Sequence, residues 1–350
     1  MILDEEDWRM AVGQKPISSE ELERRLAALA EHRSQTKAAL ALGISTGALR
    51  HTCFVAKSRN IPIPEYNPPG RTAKAKPEKP KKKQAESYVP AHLGRIDLKI
   101  NSGIVLVGSD AHIWPGEPTP AMRAFQFVIA SMAPEIQAVI LNGDIFDGAS
   151  ISRHPPLGWE KRPTVVEELG ACQQRLAALR RAARTRMDAI RWVRTVGNHD
   201  IRFDTKIVAG IPELEGVLGV SLSDHLPDWE CAWSIWINNS VIVKHRFKGG
   251  IHAAYNNAKD AGKSMVTGHL HRLQAVPWTD YNGTRWGVET GTLAQPYGPQ
   301  FNYTEGNPVN WRSGFVILRF RDGELLMPEL VLIHDALHWE HQGKIYSAIQ

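Results

Sequence analysis

Apolar positions in the first 66 residues recur at helical spacing, whereas those beyond about residue 95 fall into short, nearly continuous runs. Ser18 stands just before Glu20 and Glu21, an N-cap followed by acids in the first turn. Leu22, Leu26 and Leu29 then repeat every three or four residues, which predicts a helix. A second helical stretch runs from Thr36 to Arg50 and is interrupted at Gly43, where a positive φ permits a tight turn. Ser45 or Thr46 is placed to cap the helix after that turn. Ala38 and Ala39 let the two helices approach closely, and Leu40, Ile44 and Leu49 are expected to form their shared core. Between the two regimes, residues 67–92 are rich in Pro, Lys and Ala and offer almost nothing to bury, so they read as an extended linker. From residue 93 to 350, β-prone runs alternate with helical ones, the pattern of an α/β domain.

Composition changes this picture mainly through charge. With 43% hydrophobic and 23% charged residues in 350, the chain lies in the ordinary globular range. No apolar run approaches the roughly 18–20 residues of a membrane span, and the acidic start Asp4-Glu5-Glu6-Asp7 is unlike a secretory signal. Three scattered cysteines, Cys53, Cys172 and Cys231, suggest neither a disulfide framework nor a thiolate zinc site, and a cytoplasmic location is expected. The net charge of +5 is not evenly spread. Residues 1–90 hold 16 basic and 11 acidic side chains, while the other 260 hold 26 of each; residues 36–90 alone hold 11 against 3. A polyanion is the natural partner of such a segment, and DNA is the expected one. The helical pair around Gly43 resembles a helix-turn-helix whose second helix reads DNA, with Arg50, His51, Lys57 and Arg59 on or just after it as candidate contacts. A solvated linker attached to an ordinary helical hairpin is the bland alternative.

Chemistry concentrates at the ends of five apolar runs. Gly103–Gly108 leads into Ser109-Asp110-Ala111-His112, and Ala138-Val139-Ile140-Leu141 into Asn142-Gly143-Asp144. Trp192 to Val196 leads into Gly197-Asn198-His199-Asp200. Val241–Lys244 delivers His245, and Ser264–Thr267 delivers Gly268-His269-Leu270-His271. The carboxyl ends of strands in an α/β sheet meet along one edge, so these oxygen and imidazole donors are expected to converge. A single Asp or His after a strand usually caps a helix or fills a hydrogen-bond role. That explanation does not account for donors at every strand end.

The ordered set D-x-H, G-D, G-N-H-D, H and G-H-x-H resembles the calcineurin-like metallophosphoesterases, including their DNA-repair nucleases and phage or prophage members. The resemblance covers about 160 residues. It implies a two-sheet α/β/β/α metallophosphoesterase sandwich, here preceded by the small all-α helix-turn-helix-like module. It also implies two divalent ions with a hydroxide held between them as nucleophile, Mn²⁺ being the expected metal and Fe or Zn²⁺ the alternatives. Carried over by position, Asp110, His112, Asp144 and His271 hold one ion. Asp144, Asn198, His245 and His269 hold the other, with Asp144 bridging. His199 faces the substrate, and Asp200 orients it by accepting its other N–H.

Candidate substrate contacts are Arg153, His154, Arg202 and Arg272, with Trp114 and Trp159 at the rim. Asp147 is read as a turn-capping residue. His252 competes with His245, and strand-end placement favours His245. The expected activity is metal-dependent hydrolysis of DNA phosphodiesters. The rival readings are a phosphatase or small-nucleotide phosphodiesterase that uses the N-terminal module for localisation, and a DNA-binding regulator or assembly factor with a scaffold phosphoesterase domain.

Overall fold

Residues 17–66, 94–153 and 159–347 are described by a computed structural model. Their contacts separate two units, Met1–Ser87 and Tyr88–Gln350. The expected linker at 67–92 and the candidate His154 lie outside the described residues.

Among the described residues the first unit contains three helices, α1 (Ser19–His32), α2 (Gln35–Ala41) and α3 (Thr46–Ser58). Each starts on a serine. Ser18 Oγ accepts from Glu21 N at 3.2 Å, Ser34 Oγ from Lys37 N at 3.5 Å, and Ser45 Oγ from Ala48 N at 3.1 Å. Gly43, with φ of 64°, makes the turn between α2 and α3, whose axes bend by 108°. The core is Leu22, Leu26, Leu29, Ala38, Ala39, Leu49, Cys53 and Ala56. Leu40 does not join it: the side chain is 82% exposed. Ala38 and Ala39 occupy the inward face of the short helix α2, so the next residue points to water.

The second unit is built around central strands buried on both faces. Its elements in chain order are β1 (Ile96–Leu98), β2 (Gly103–Gly108), α4 (Pro120–Met132), β3 (Ile136–Asn142), α5 (Val165–Ala182), β4 (Arg191–Thr195), α6 (Ile201–Gly210), α7 (Leu222–His225), β5 (Glu230–Ala232), β6 (Ile235–Ile237), β7 (Val241–Lys244), α8 (Ala253–Ala261), β8 (Ser264–Thr267), β9 (Leu273–Asp280), β10 (Gly283–Thr290), β11 (Gly314–Arg321), β12 (Glu324–Leu325), β13 (Glu329–Ile333), β14 (His338–His341) and β15 (Lys344–Ser347). They form two sheets, one ordered β1-β6-β7-β8-β10-β9, the other β15-β14-β13-β11-β2-β3-β4-β5 with β12 beside β11. In the second sheet β2, β3, β4 and β5 run parallel; in the first, β7 and β8 do.

The period-2 alternation of β2 shows why the unit is layered. Val105 and Val107 pack with Ile140, Val193, Val243, Val266 and Val288 between the two sheets. Ile104 and Leu106 face the other way, onto Phe125, Val128 and Ile129 of α4, in a cluster that also takes Leu176 and Leu179 of α5. On the far side of the first sheet, α8 lies so close to β10 that a Cβ on Gly287 would overlap the Ala254 carbonyl. Leu326-Met327-Pro328 separate β12 from β13. Glu324–Leu325 and Glu329–Ile333 pair with β11 as separate pieces, and two further strands extend the edge.

Candidate metal centre

Five strand ends from two sheets meet in one place. After β2 and β3, the parallel ladder continues into the loops: Asp110 N donates to Gly143 O at 3.0 Å and His112 N to Asp144 O at 2.9 Å. The two loops therefore travel side by side and carry Asp110, His112 and Asp144 to the same depth. His245, directly after β7, places Nε2 3.1 Å from Asp144 Oδ2 and 3.2 Å from Asn198 Oδ1. His271 Nε2 lies 3.2 Å from Asp110 Oδ1, and His269 N donates to Asp110 Oδ2 at 2.9 Å. His112 Nε2 is 3.9 Å from Asp144 Oδ2. Three donor groups result, Asp110/His112/His271, Asp144/His245/His269 and, sharing His112 with the first, His112/Asp147/His199, each with ligand atoms within 4.8 Å of one another. Asp110, Asp144, His245 and His112 are all at most 2% exposed, whereas His269 reaches solvent. His252, the competitor of His245, stands exposed at the start of α8.

The backbone is bent to achieve this. Asp110, His112, Asp144, His269 and His271 all have positive φ, between 38° and 69°. A non-glycine residue held there costs roughly 1–3 kcal/mol, and such strain gathers at functional sites. The glycines of the motifs act differently from turn residues at two positions. Gly197 and Gly268 have ordinary φ, yet a Cβ on Gly197 would overlap the Asp144 carboxylate, and one on Gly268 would come within 2.6 Å of Asp110 Oδ2. They are glycine so that two loops can touch.

The ring nitrogens are set up as ligand atoms. His245 Nδ1 donates to Asn142 O at 2.8 Å, which leaves Nε2 for Asp144 and Asn198. His112 Nδ1 is held by Asp147 Oδ1 at 2.8 Å, while its buried Nε2 has no hydrogen-bond partner among the described residues. A buried nitrogen with a free lone pair beside two carboxylates fits a cation. Protonation behaves accordingly. Burial lowers the pKa of His245, but Asp144 and Asp110 override it and drive the value up to about 9. The two carboxylates thus favour positive charge at this point. Burial and the nearby His199 hold His112 low; burial and the nearby His245 hold His269 down at about 4. Both are neutral, as ligands must be. Burial alone would raise Asp144, and the histidine charges, His245 first, pull it well below the usual carboxylate range.

One expected role is corrected. Asp200 does not orient His199. Its Oδ1 accepts from Ile145 N and Phe146 N at 3.0 Å each, and its Oδ2 from Asp144 N and Gly197 N at 2.9 Å each. Four converging backbone N–H groups saturate this buried carboxylate, which ties the Asp144 loop to the Gly197 turn. The orienting group is Asp147, three residues after Asp144. Its Oδ1 lies 3.0 Å from His199 Nδ1, and the same oxygen takes the His112 contact. Hydrogen bonds from the two imidazoles hold Asp147 below its ordinary range against the effect of burial. The signal available in the sequence is a second carboxylate in the same strand-end loop.

The candidate substrate contacts divide. Arg202 Nη1 donates to Asp147 O at 2.9 Å and its Nη2 sits 3.0 Å from His199 Nε2, in a cavity of about 390 Å³ shared with Trp114, Arg162 and Tyr303. Arg272 is engaged elsewhere: it pairs with buried Glu289 at 2.9 Å and bonds the carbonyls of Gly250 and Ile251, so it clamps a loop to β10. Arg153 is exposed at the end of a described stretch, and Trp159 is 80% exposed. Phe301 belongs to no motif and carries no signal in the sequence. It is buried against the rings of His112 and His271, with centroids 5.1 and 5.4 Å away. In the helical unit, Arg50, Lys57 and Arg59 are exposed and His51 is half-buried, all on or at the end of α3.

Comparison with protein-family models finds no match to this chain, and comparison with curated proteins finds none.

Proposed function

We propose that this chain is a dinuclear metal-dependent phosphoester hydrolase of the calcineurin-like kind, acting on DNA phosphodiesters. The observation that carries the reading is the pair of triads, Asp110/His112/His271 and Asp144/His245/His269, assembled from four strand ends of two sheets and buried except at His269. In this reading Asp110, His112, Asp144 and His271 hold one ion, and Asp144, Asn198, His245 and His269 the other. A donor set of carboxylate, amide and imidazole without thiolate suits Mn²⁺, with Fe or Zn²⁺ as alternatives. Bound ions supply Lewis acidity toward the phosphoryl oxygens and lower the pKa of water.

The chain's own side chains supply positioning and proton transfer. His199 carries its Nδ1 proton against Asp147, and its Nε2 accepts from Arg202. Burial lowers the His199 pKa, and the Asp147 and Asp144 carboxylates more than offset it. A phosphoryl oxygen that draws the Arg202 guanidinium to itself frees Nε2 to take up a proton from solvent, helped by the nearby Asp147 and Asp144 carboxylates, and to pass it to the leaving oxygen. DNA as the substrate is supported by the helical unit. Its α2 and α3 meet at 108° through a four-residue turn, and α3 presents Arg50, Lys57 and Arg59 to solvent, a geometry suited to a helix-turn-helix.

The test is hydrolysis of bis-p-nitrophenyl phosphate and end-labelled DNA by chelator-stripped protein titrated with Mn²⁺, with His199→Ala as control. Turnover of both, dependent on Mn²⁺ and lost in the variant, is expected. Turnover of p-nitrophenyl phosphate with DNA untouched keeps the metal centre and overturns the DNA substrate.

A further inference from the structure

Three cavities adjoin the metal centre, and they differ in how their cations are used. The one beside His199 contains Asp147 and Glu160 as well as arginines; its Arg162 pairs with Glu160 at 2.9 Å, and Arg202 is held by Asp147 O. The largest, about 690 Å³, contains Glu117 and Asp335, and its Arg123 and Arg312 donate to the carbonyls of Pro118 and Trp311 at 2.6 and 2.7 Å. The third, about 470 Å³, opens on the His245 and His269 side and has no acidic residue in its lining. Lys244, Arg246, Lys248, Trp233 and Phe247 supply its character. Lys248 pairs with Asp260, but among the described residues neither Lys244 nor Arg246 has an acidic partner. Trp233 and Phe247 are 39% and 46% exposed.

We propose that this third cavity is a nucleotide subsite that takes an unpaired base and its phosphate from single-stranded DNA, next to the scissile phosphodiester. The inference rests on the phosphoesterase reading above and deepens it. Three features carry it. His269, a member of the Asp144 triad, is exposed and lines the cavity, so a phosphodiester at the triad leads its next nucleotide directly into this space. The Lys244-His245-Arg246-Phe247-Lys248 run places cations on both sides of a buried ligand residue, where they can neutralise the adjacent phosphate. Exposed aromatic faces among cations stack bases of any identity, and they need those bases out of the duplex. A phosphate monoester or a methyl diester has no aromatic group to place there. Preference for single strands over duplex is therefore built into this side of the centre.

Trp233→Ala and Arg246→Ala, made in the full chain, test the assignment; Arg246 is exposed, so its variant retains the fold. With Mn²⁺, kcat/KM on a single-stranded oligonucleotide is expected to fall about 10-fold or more in each, as loss of one stacked base or phosphate contact predicts. Turnover of methyl p-nitrophenyl phosphate is expected to stay within about twofold, because its retained methyl group offers nothing to stack. An abasic residue beside the scissile phosphate should reproduce the Trp233→Ala loss in the wild-type protein and add little in the variant. A readout independent of catalysis is fluorescence anisotropy of a labelled thymidine hexanucleotide in chelator, where both variants should bind more weakly than wild type. Unchanged oligonucleotide cleavage and binding in both variants overturns the subsite. An equal loss on the small diester also overturns it and makes these residues supports of the His245 loop. Small-diester turnover by the wild type with single-stranded DNA untouched sinks the subsite and leaves the phosphoesterase standing; no turnover of either sinks both.

Discussion

The helical unit and the sheet unit carry their candidate chemistry in opposite ways. In the first, Arg50, Lys57 and Arg59 stand in solvent on or beside a helix whose inward face, Leu49, Cys53 and Ala56, does the packing. Function and fold use different residues, so the basic side chains can change with little effect on stability. In the second, Asp110, His112, Asp144, His245 and His271 are themselves buried, and four of these five sit in left-handed backbone. Here the candidate functional groups are part of the core and work against it: buried carboxylates repel one another and positive φ is strained. A region of the first kind recognises by surface charge. A region of the second kind holds like charges together at a cost that, on the proposed reading, a bound cation offsets.

The largest effect that would break this contrast comes from Asp144→Asn. Hydrolysis should fall by about 1,000-fold or more, since the shared carboxylate has no substitute. The stability of the wild-type protein should depend on metal. Mn²⁺ at about 100 times its Kd stabilises a native state by about 2.7 kcal/mol, so the wild-type Tm should rise on adding Mn²⁺ and the variant's should not. A wild-type Tm indifferent to Mn²⁺, Fe and Zn²⁺ would remove the cation from the account. Next in size is a pair of glycine substitutions. Gly197→Ala drives a Cβ into the Asp144 carboxylate and should destabilise by about 1–3 kcal/mol while lowering activity about 100-fold. Gly43→Ala meets open space and bears only the penalty of its φ of 64°, about 1 kcal/mol, with small-diester turnover unchanged. Denaturation followed by circular dichroism, with bis-p-nitrophenyl phosphate assays, separates the two.

The same contrast governs what can be read from the chain. The five apolar runs are strands because their residues are buried on both faces, which leaves a nearly continuous hydrophobic signature. In β2, Ile104 and Leu106 face helices while Val105 and Val107 face the other sheet, so no position is left for a polar residue. The β9–β10 hairpin is not legible, since its exposed half, Trp278 to Trp286, lacks such a run. Donor types at the strand ends are legible, but which acid faces which histidine is not. Asp147 and Asp200 are both short carboxylates near His199, and only the four N–H groups gathered around Asp200 decide that it turns away. Arg272 follows the same logic, drawn off by Glu289 of β10 rather than left free for a substrate. Leu40 illustrates the reverse case, an apolar residue on the outer side of a helix too short to bury both faces.

The smallest effect sharpens the comparison through pH. Glu21 of α1 is half-buried at the surface, and its hydrogen bonds with Arg24 and Arg25 hold its pKa down at about 2. Glu168 of α5 is buried, with one oxygen accepting from Ala149 N at 3.3 Å and the other without a hydrogen-bond partner among the described residues; burial pushes it up to about 8. The signs are opposite. The unfolded chain binds more protons at Glu21 than the folded one, so that contribution is present above the ordinary glutamate range and fades as pH falls toward 2. At Glu168 the folded chain keeps a proton that the unfolded chain releases near 4.5, so stability is lost as pH rises from there through about 8. Glu168→Gln stays neutral and removes that slope. Thermal melts of wild type and variant should therefore coincide most closely near pH ~5, with the variant gaining steadily toward pH ~8. Glu21→Gln should show no gain over the same interval, because both its states are ionised there. A Glu168→Gln advantage that is constant with pH would mean the wild-type side chain is ionised in the fold and that burial at this position is weaker than at the strand ends.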